Sequence, residues 1–354
     1  MNSYEKFNHL VLLVGTNPLP NFVVADYFLK NNCNMKTIWL LHSEANELQA
    51  GTGEQARNLE ALLRKRWEGK HQNLCFPLEK ITLSDVSNAA TIRAEIERKV
   101  LKRWDPSDEF HLNYTGGTKA MAIHVYLRLQ ELQRSGQRPF SYLDARNFRL
   151  VGDDYGIIAD ELRQKVQIDF EELIGLHGFQ RFNKDKEIDL NYASTTFQKF
   201  IDPNRTETIS DGHWLEHYIA TKLENIFAGK PNCQVDVLHN WRIKAPHHHQ
   251  QSHFELDGIL VYGYHLTGVS CTIGFRKEPC KNKGFEIILR SRQIGGDEAR
   301  AILITGSNRD QTERLQDELI YETGGTSGNI LVLGVDHLRN EALYTHKIED
   351  FVLG

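Results

Sequence analysis

Through the first half of the chain, short apolar runs alternate with polar, amphipathic stretches, the pattern of β-α-β units wound around a parallel sheet. His9 to Val14 reads as a buried strand and Thr37 to His42 as a second, with further strands near Lys80 to Leu83 and at Phe110 to Tyr114. Between them, helical spacing of apolar positions predicts helices over Phe22 to Lys30, from about Gly53 to Glu68 with Leu59, Leu62 and Leu63 on one face, and near Ala89 to Trp104. Thr118 to Ser135 continues as a helix, Pro139 to Asp144 as a strand, and Phe148 to Val151 pairs with Tyr155 to Ile158 as a hairpin. This order predicts a doubly wound, Rossmann-like α/β domain over residues 1–160.

Beyond that point the pattern changes. Ile168 to Ile174 reads as a short capped helix ending at Gly175, and a polar, charged stretch runs on to about Asn204, so residues 161–205 are expected to form a connecting element. A helix over Gly212 to Phe227 follows, then strands near Gln234 to Ile243, His253 to Tyr262 and Leu266 to Thr272. After a helix from about Glu278 to Ile294 come strands at Ala301 to Thr305 and Ile330 to Val335. The order α-β-β-β-α-β predicts a second, mixed α/β domain over residues 206–354.

With 354 residues, 40% of them hydrophobic, the chain can fill two cores. Its net charge of −5 excludes a globally basic nucleic-acid coat, so any polyanion site must be a local patch. The five cysteines contain no Cys-x-x-Cys pair, which favours reduced thiols over a zinc site. Neither a leader pattern at Met1 to Lys6 nor an apolar run approaching the roughly 18 residues of a membrane span is present, so a soluble, cytoplasmic protein with no membrane partner is expected.

The candidate chemistry starts at Asn113-Tyr114-Thr115-Gly116-Gly117-Thr118-Lys119, where a strand ends and a helix opens. Such a junction gathers free backbone N–H groups, two hydroxyls and an ammonium at one helix N-terminus, a setting that favours phosphate. The turn Gly15 to Asn21, with Thr16, Asn17, Pro18 and Asn21, and the end of strand two at His42 and Ser43, should reach the same carboxyl edge of the sheet. Neither Gly-x-Gly-x-x-Gly nor Gly-x-x-x-x-Gly-Lys-Ser/Thr occurs where a dinucleotide or P-loop site needs it.

In the second half, Glu216 near the start of a helix and Asp257 on a strand are candidates for one Mg2+ or Mn2+, as phosphodiester hydrolysis requires. Glu255 is expected to face away from that pair. The stretch holding Arg276, Lys277, Lys281, Lys283, Arg290 and Arg292 could meet a nucleic-acid backbone or be a solvated helix face. Three consecutive histidines, His247 to His249, cannot all face one ion and are a poor ligand set.

Together these residues resemble the ancillary nucleases of type III CRISPR systems, which join a CARF sensor domain to a PD-(D/E)XK nuclease domain. The likeness covers nearly the whole chain and rests on the Gly15 to Asn21 turn, Leu41-His42-Ser43, Thr115 to Met121, Gly212-His213-Trp214-Leu215-Glu216, Glu255-Leu256-Asp257 and Phe285 to Asp297. The resemblance implies a CARF domain that binds a cyclic oligoadenylate, usually cyclic tetra-adenylate, at the axis of a homodimer, and a restriction-endonuclease-like domain that then cuts DNA or RNA. One departure stands out: the family pattern expects an acidic residue and, two positions on, a Lys on the strand after Asp257, where this chain has Ser270 and Thr272. Glu286 could restore the carboxylate and Lys277 or Lys283 the cation. Otherwise the domain is a degenerate regulator that binds without cutting.

Overall fold

The computed structural model describes residues 6–354 apart from 48–49, 72–73, 78–80, 106, 135–136, 138, 155, 182–188, 205–208, 210, 237–240 and 245–252. The histidines at 247–249 and the start of the strand expected from residue 80 lie outside the described residues. Two compact units emerge: one holds residues 1–166 and 175–178, the other 167–174 and 179–354.

In the first unit the elements run β1 (His9–Leu13), α1 (Leu19–Asn31), β2 (Thr37–Ser43), α2 (Gly53–Trp67), β3 (Thr82–Leu83), α3 (Ala89–Lys99), β4 (Phe110–Asn113), α4 (Lys119–Gln130), β5 (Phe140–Asp144), β6 (Arg149–Gly152), β7 (Ile157–Ala159) and the short α5 (Leu162–Lys165). Leu10, Leu12, Leu13, Ile38, Leu40 and Leu41 are all buried, as expected of strands covered on both faces. The sheet order is β3-β2-β1-β4-β5-β6-β7, with the first five strands parallel and β6 antiparallel to both of its neighbours. The winding direction therefore reverses between β1 and β4, and the loops leaving their carboxyl ends part to leave a crevice. Pairing of Leu12 with Asn113 ends both strands level.

His111 on β4 is wholly buried among Phe7 and Phe28, at ring distances of 5.0 and 4.7 Å, with Nε2 2.7 Å from the Ser141 hydroxyl. Burial pushes its pKa down to about 3. The unfolded chain then binds a proton near 6.5 that the folded one refuses, so this stabilising contribution is intact above pH 6.5 and drains away as the pH falls toward 3. About 2 kcal/mol is lost by pH 5. Urea midpoints at pH 7 and 5 should differ more for wild type than for His111→Phe; equal pH slopes would refute the assignment.

The second unit contains most of α6 (Phe170–Leu176), then β8 (Gln180–Arg181), α7 (Leu190–Ile201), α8 (His213–Phe227), β9 (Cys233–Asp236), β10 (Trp241–Lys244), β11 (His253–Leu256), β12 (Gly258–Tyr262), β13 (His265–Cys271), α9 (Lys277–Gly295), β14 (Arg300–Ile304), α10 (Arg309–Thr323), β15 (Ile330–Leu333), α11 (Val335–Leu338) and α12 (Glu341–Leu353). A five-stranded sheet runs β15-β14-β13-β12-β9 and a three-stranded one β11-β10-β8. Helices α7, α8 and α12 bury Phe197, Trp214, Leu215, Ile219 and Tyr344 against Val269, Ile302, Ile304 and Leu333 of the larger sheet. Across β13, α9 comes so near that a Cβ on Gly268 would lie 2.2 Å from the Ser291 hydroxyl.

Three expectations change here. The stretch leading to Asn204 is not a separate connector: α7 lies within the second unit, and its Phe197 ring stacks on Tyr218 of α8 at 3.7 Å. The strand expected over His253 to Tyr262 is broken at Asp257, and its two halves belong to different sheets. Helix α10, not anticipated, pairs its acids with α9: Lys277 donates to Glu318 and Lys281 to Glu322, each at 2.5 Å.

Candidate functional site

In the first unit, the loops that leave β1 (Gly15–Pro18) and β4 (Tyr114–Thr118) lie side by side, so that a Cβ on Gly15 would come 3.2 Å from Gly117 N. A Cβ on Gly116 would sit 2.1 Å from the Leu13 carbonyl oxygen, and Gly117 has φ +73°. Only glycine lets this loop lie flat on the end of β1. The N–H groups of Gly116, Gly117, Thr118, Lys119 and Ala120 find no acceptor among the described residues, and Lys119 is exposed beside them. Five amide donors and one ammonium at a helix N-terminus are groups of the kind that can meet a polyanion.

The hydroxyls expected to join them are committed elsewhere. Thr118 Oγ1 caps α4 by accepting from Met121 N–H at 3.1 Å and donates to Val86 O at 3.2 Å. Thr115 Oγ1 donates to Asn113 Oδ1 and accepts from Leu143 N–H, both at 2.7 Å. His42 is also turned inward, with Nδ1 2.9 Å from Leu40 O and Nε2 2.9 Å from Thr82 Oγ1; burial holds its pKa below the usual histidine value. Ser43 bonds Thr52, whose hydroxyl donates to Val14 O at 2.9 Å, tying the second loop to the first. These side chains are committed within the fold, and it is the backbone N–H groups from Gly116 to Ala120 that are left without acceptors among the described residues.

In the loop after β1, Thr16 is exposed, Pro18 leads into α1, and Asn17 Oδ1 accepts from Leu19 N–H at 3.0 Å and lies 3.1 Å from His177 Nε2. Asn21 is fully buried and donates to Leu13 O at 3.0 Å, while its Oδ1 has no partner among the described residues.

In the second unit, a cavity of about 220 Å3 is lined by His213, Glu216, Glu255, Asp257, Ser270 and, from α9, Lys283 and Glu286. The bend between β11 and β12 presents Asp257, whose Oδ2 accepts from Cys271 N–H at 2.7 Å and from the Ser270 hydroxyl at 3.0 Å. Burial raises the Asp257 pKa against the pull of those donors and of Lys283. Glu216 is pushed up to about 7, first by burial and then by Asp257. His213 lies 3.3 Å from Glu216, and that contact raises its own pKa.

Glu255 corrects an expectation, since it shares this cavity instead of facing away. Positions two apart on a strand lie on one face. Lys283 and Glu286 do reach the cavity, whereas Lys277 is occupied by Glu318. The basic stretch as a whole is not a free face: Lys281 is ion-paired, Arg290 lies 4.5 Å over the Phe254 ring, and Arg292 reaches Thr323 O.

No group of three or more His, Cys, Asp and Glu among the described residues is arranged to enclose a metal ion. Glu216 and Asp257 are nevertheless hard oxygen donors whose mutual repulsion a cation would relieve, and Mg2+ typically takes one or two carboxylates and fills the rest with water and phosphate. The residues present fit that mode. The five cysteines are all free, and no helix among the described residues is long and apolar enough to cross a membrane.

No protein-family model and no curated protein matches the chain. Solved structures do. Protein VC1899 from Vibrio cholerae aligns with a TM-score of 0.68 at 15% identity, covering 97% of this chain and 98% of that one. Can2 from Sulfobacillus thermosulfidooxidans, solved in complex with cyclic tetra-adenylate, aligns at 0.64 and 16% identity over 98% and 99%. A type III CRISPR defence DNA nuclease activated by cyclic oligoadenylate aligns at 0.54 and 20% identity, over 85% of this chain and 45% of that one. At these identities the likeness establishes a shared fold.

Proposed function

We propose that this chain is an ancillary nuclease of type III CRISPR defence, in which the first unit is a CARF sensor for a cyclic oligoadenylate and the second a metal-dependent nuclease for DNA or RNA. The observation that carries the reading is Lys283: it enters the same cavity as Glu216 and Asp257 from α9, supplying the cation that Thr272 does not. The full-length fold shared with a protein bound to cyclic tetra-adenylate supports it.

Each residue then has a definite task. Glu216 and Asp257 would hold Mg2+ or Mn2+, which when bound supplies charge neutralisation and an acidified water. Cys271 N–H and the Ser270 hydroxyl fix the orientation of the Asp257 carboxylate. Lys283 offsets negative charge building on the phosphate, and Glu286 stands beside it. At the sensor, the amides from Gly116 to Ala120 take the phosphates, and two copies of the chain would each take half of a two-fold ring. Ser270 in place of a carboxylate is what favours the second reading, a regulator that binds without cutting.

Supercoiled plasmid and single-stranded RNA, each with Mn2+ and with or without cyclic tetra-adenylate, test the proposal. Cleavage is expected only with both cofactors. Lys283→Ala should lower it about 100-fold, while Lys281→Ala, whose ammonium is held by Glu318 and Glu322, should stay within about twofold. Equal rates for Lys283→Ala and wild type would overturn the role of Lys283. Ligand binding with no cleavage under any metal would favour the regulator.

A further inference from the structure

A second crevice in the nuclease unit, of about 200 Å3, is lined by Phe275, Cys280, Ser307, Gln311, Arg314 and Leu315 among others. Its floor is apolar, since Cys280 and Leu315 are buried, and one wall is the Phe275 ring, which is 57% exposed. That exposure does not come from a loose loop. Gly306 N–H donates to Gly274 O at 2.8 Å, Gly274 N–H to Thr272 Oγ1 at 3.1 Å, and the Ser307 hydroxyl to Phe275 O at 3.4 Å. The backbone is fastened on both sides, and the ring is held out to solvent.

Arg314 at the rim has no partner among the described residues. The loop that carries Phe275 leaves β13 directly after Ser270 and Cys271, the two residues that fix Asp257. A rigid aromatic wall, an unengaged guanidinium and a direct backbone connection to the catalytic cavity are the parts from which single-strand subsites are built.

We propose that this crevice is a nucleobase subsite for a single-stranded stretch of the nucleic-acid substrate, in which a base stacks on Phe275 and an adjoining phosphate meets Arg314. It rests on the nuclease reading above. Its volume suits one ring system rather than a protein segment, and because Lys277 and Glu318, which also line it, are paired with each other, Arg314 leaves the rim with a net positive charge that suits a polyanion.

The test uses the full chain carrying Asp257→Asn, with Mn2+ and cyclic tetra-adenylate, and fluorescein-labelled oligothymidylate and oligouridylate read by anisotropy. Phe275→Ala should weaken binding about tenfold, Phe275→Trp should restore it, and Arg314→Ala should flatten the salt dependence by about one counterion. An oligomer with abasic residues should bind Phe275→Ala and its parent equally. In the cleaving chain, Phe275→Ala should raise KM by the same factor as Kd. If the active chain cuts these oligomers while Phe275→Ala leaves Kd and KM unchanged, the subsite falls and the nuclease stands. If the chain neither binds nor cuts any oligomer, both fall.

Discussion

Asp257→Asn should reduce ligand-activated cleavage by about 1000-fold or more while leaving the protein folded and able to bind cyclic tetra-adenylate. Asparagine is the sharper substitution because its carbonyl oxygen can still accept from Cys271 N–H and the Ser270 hydroxyl, the two bonds that Asp257 Oδ2 makes. Alanine would leave both donors buried and unpaired, at a cost of about 1–3 kcal/mol each, and would confuse lost chemistry with lost stability. The Glu216 carboxyl provides a second readout. Part of its rise to about 7 comes from Asp257, so its titration, followed by NMR, should move down in the Asp257→Asn variant. Wild-type cleavage by the variant would remove Asp257 from the reaction altogether.

On the sensor reading proposed above, Gly116→Ala should cost at least about 100-fold in affinity for cyclic tetra-adenylate, because the amides from Gly116 to Ala120 lose their placement together. The new methyl carbon would sit 2.1 Å from a carbonyl oxygen of β1, a contact that backbone on both sides must move to relieve. Overpacking of this kind also destabilises by about 1–3 kcal/mol. Calorimetric titration with cyclic tetra-adenylate and a thermal melt would separate the two effects. Near-native affinity in the alanine variant would mean that the cradle lies elsewhere.

How much of this could be read from the sequence depends on the range over which each feature is determined. The strands of the first unit were legible, since Leu10 to Leu13 and Ile38 to Leu41 are continuous apolar runs, and the junction of β4 with α4 is written in Thr118 and the glycines before it. The roles of its hydroxyls were not. A threonine shows that it has a donor but not where its partner lies, and Thr118 finds Val86 and Thr115 finds Leu143 through the fold.

In the second unit, Glu216, Asp257, Lys283 and Glu286 were visible as chemistry, and the cavity brings them together. Helix α7 did leave a signal, with Ala193, Phe197 and Phe200 buried at helical spacing inside a polar stretch. Helix α10 left less, because only Thr312, Leu315 and Leu319 are buried among its many charges. Without it, the lysines of α9 looked free.

The break at Asp257 has a mechanical meaning. Its carboxylate is gripped by β13 of the larger sheet, while the residues before it belong to β11 of the smaller one. The position of Asp257 is thus set at a joint between two sheets. Strand β8 forms the far edge of the smaller sheet. In the nuclease proposed above, the carboxylate would therefore be placed by the alignment of two sheets rather than by one continuous strand.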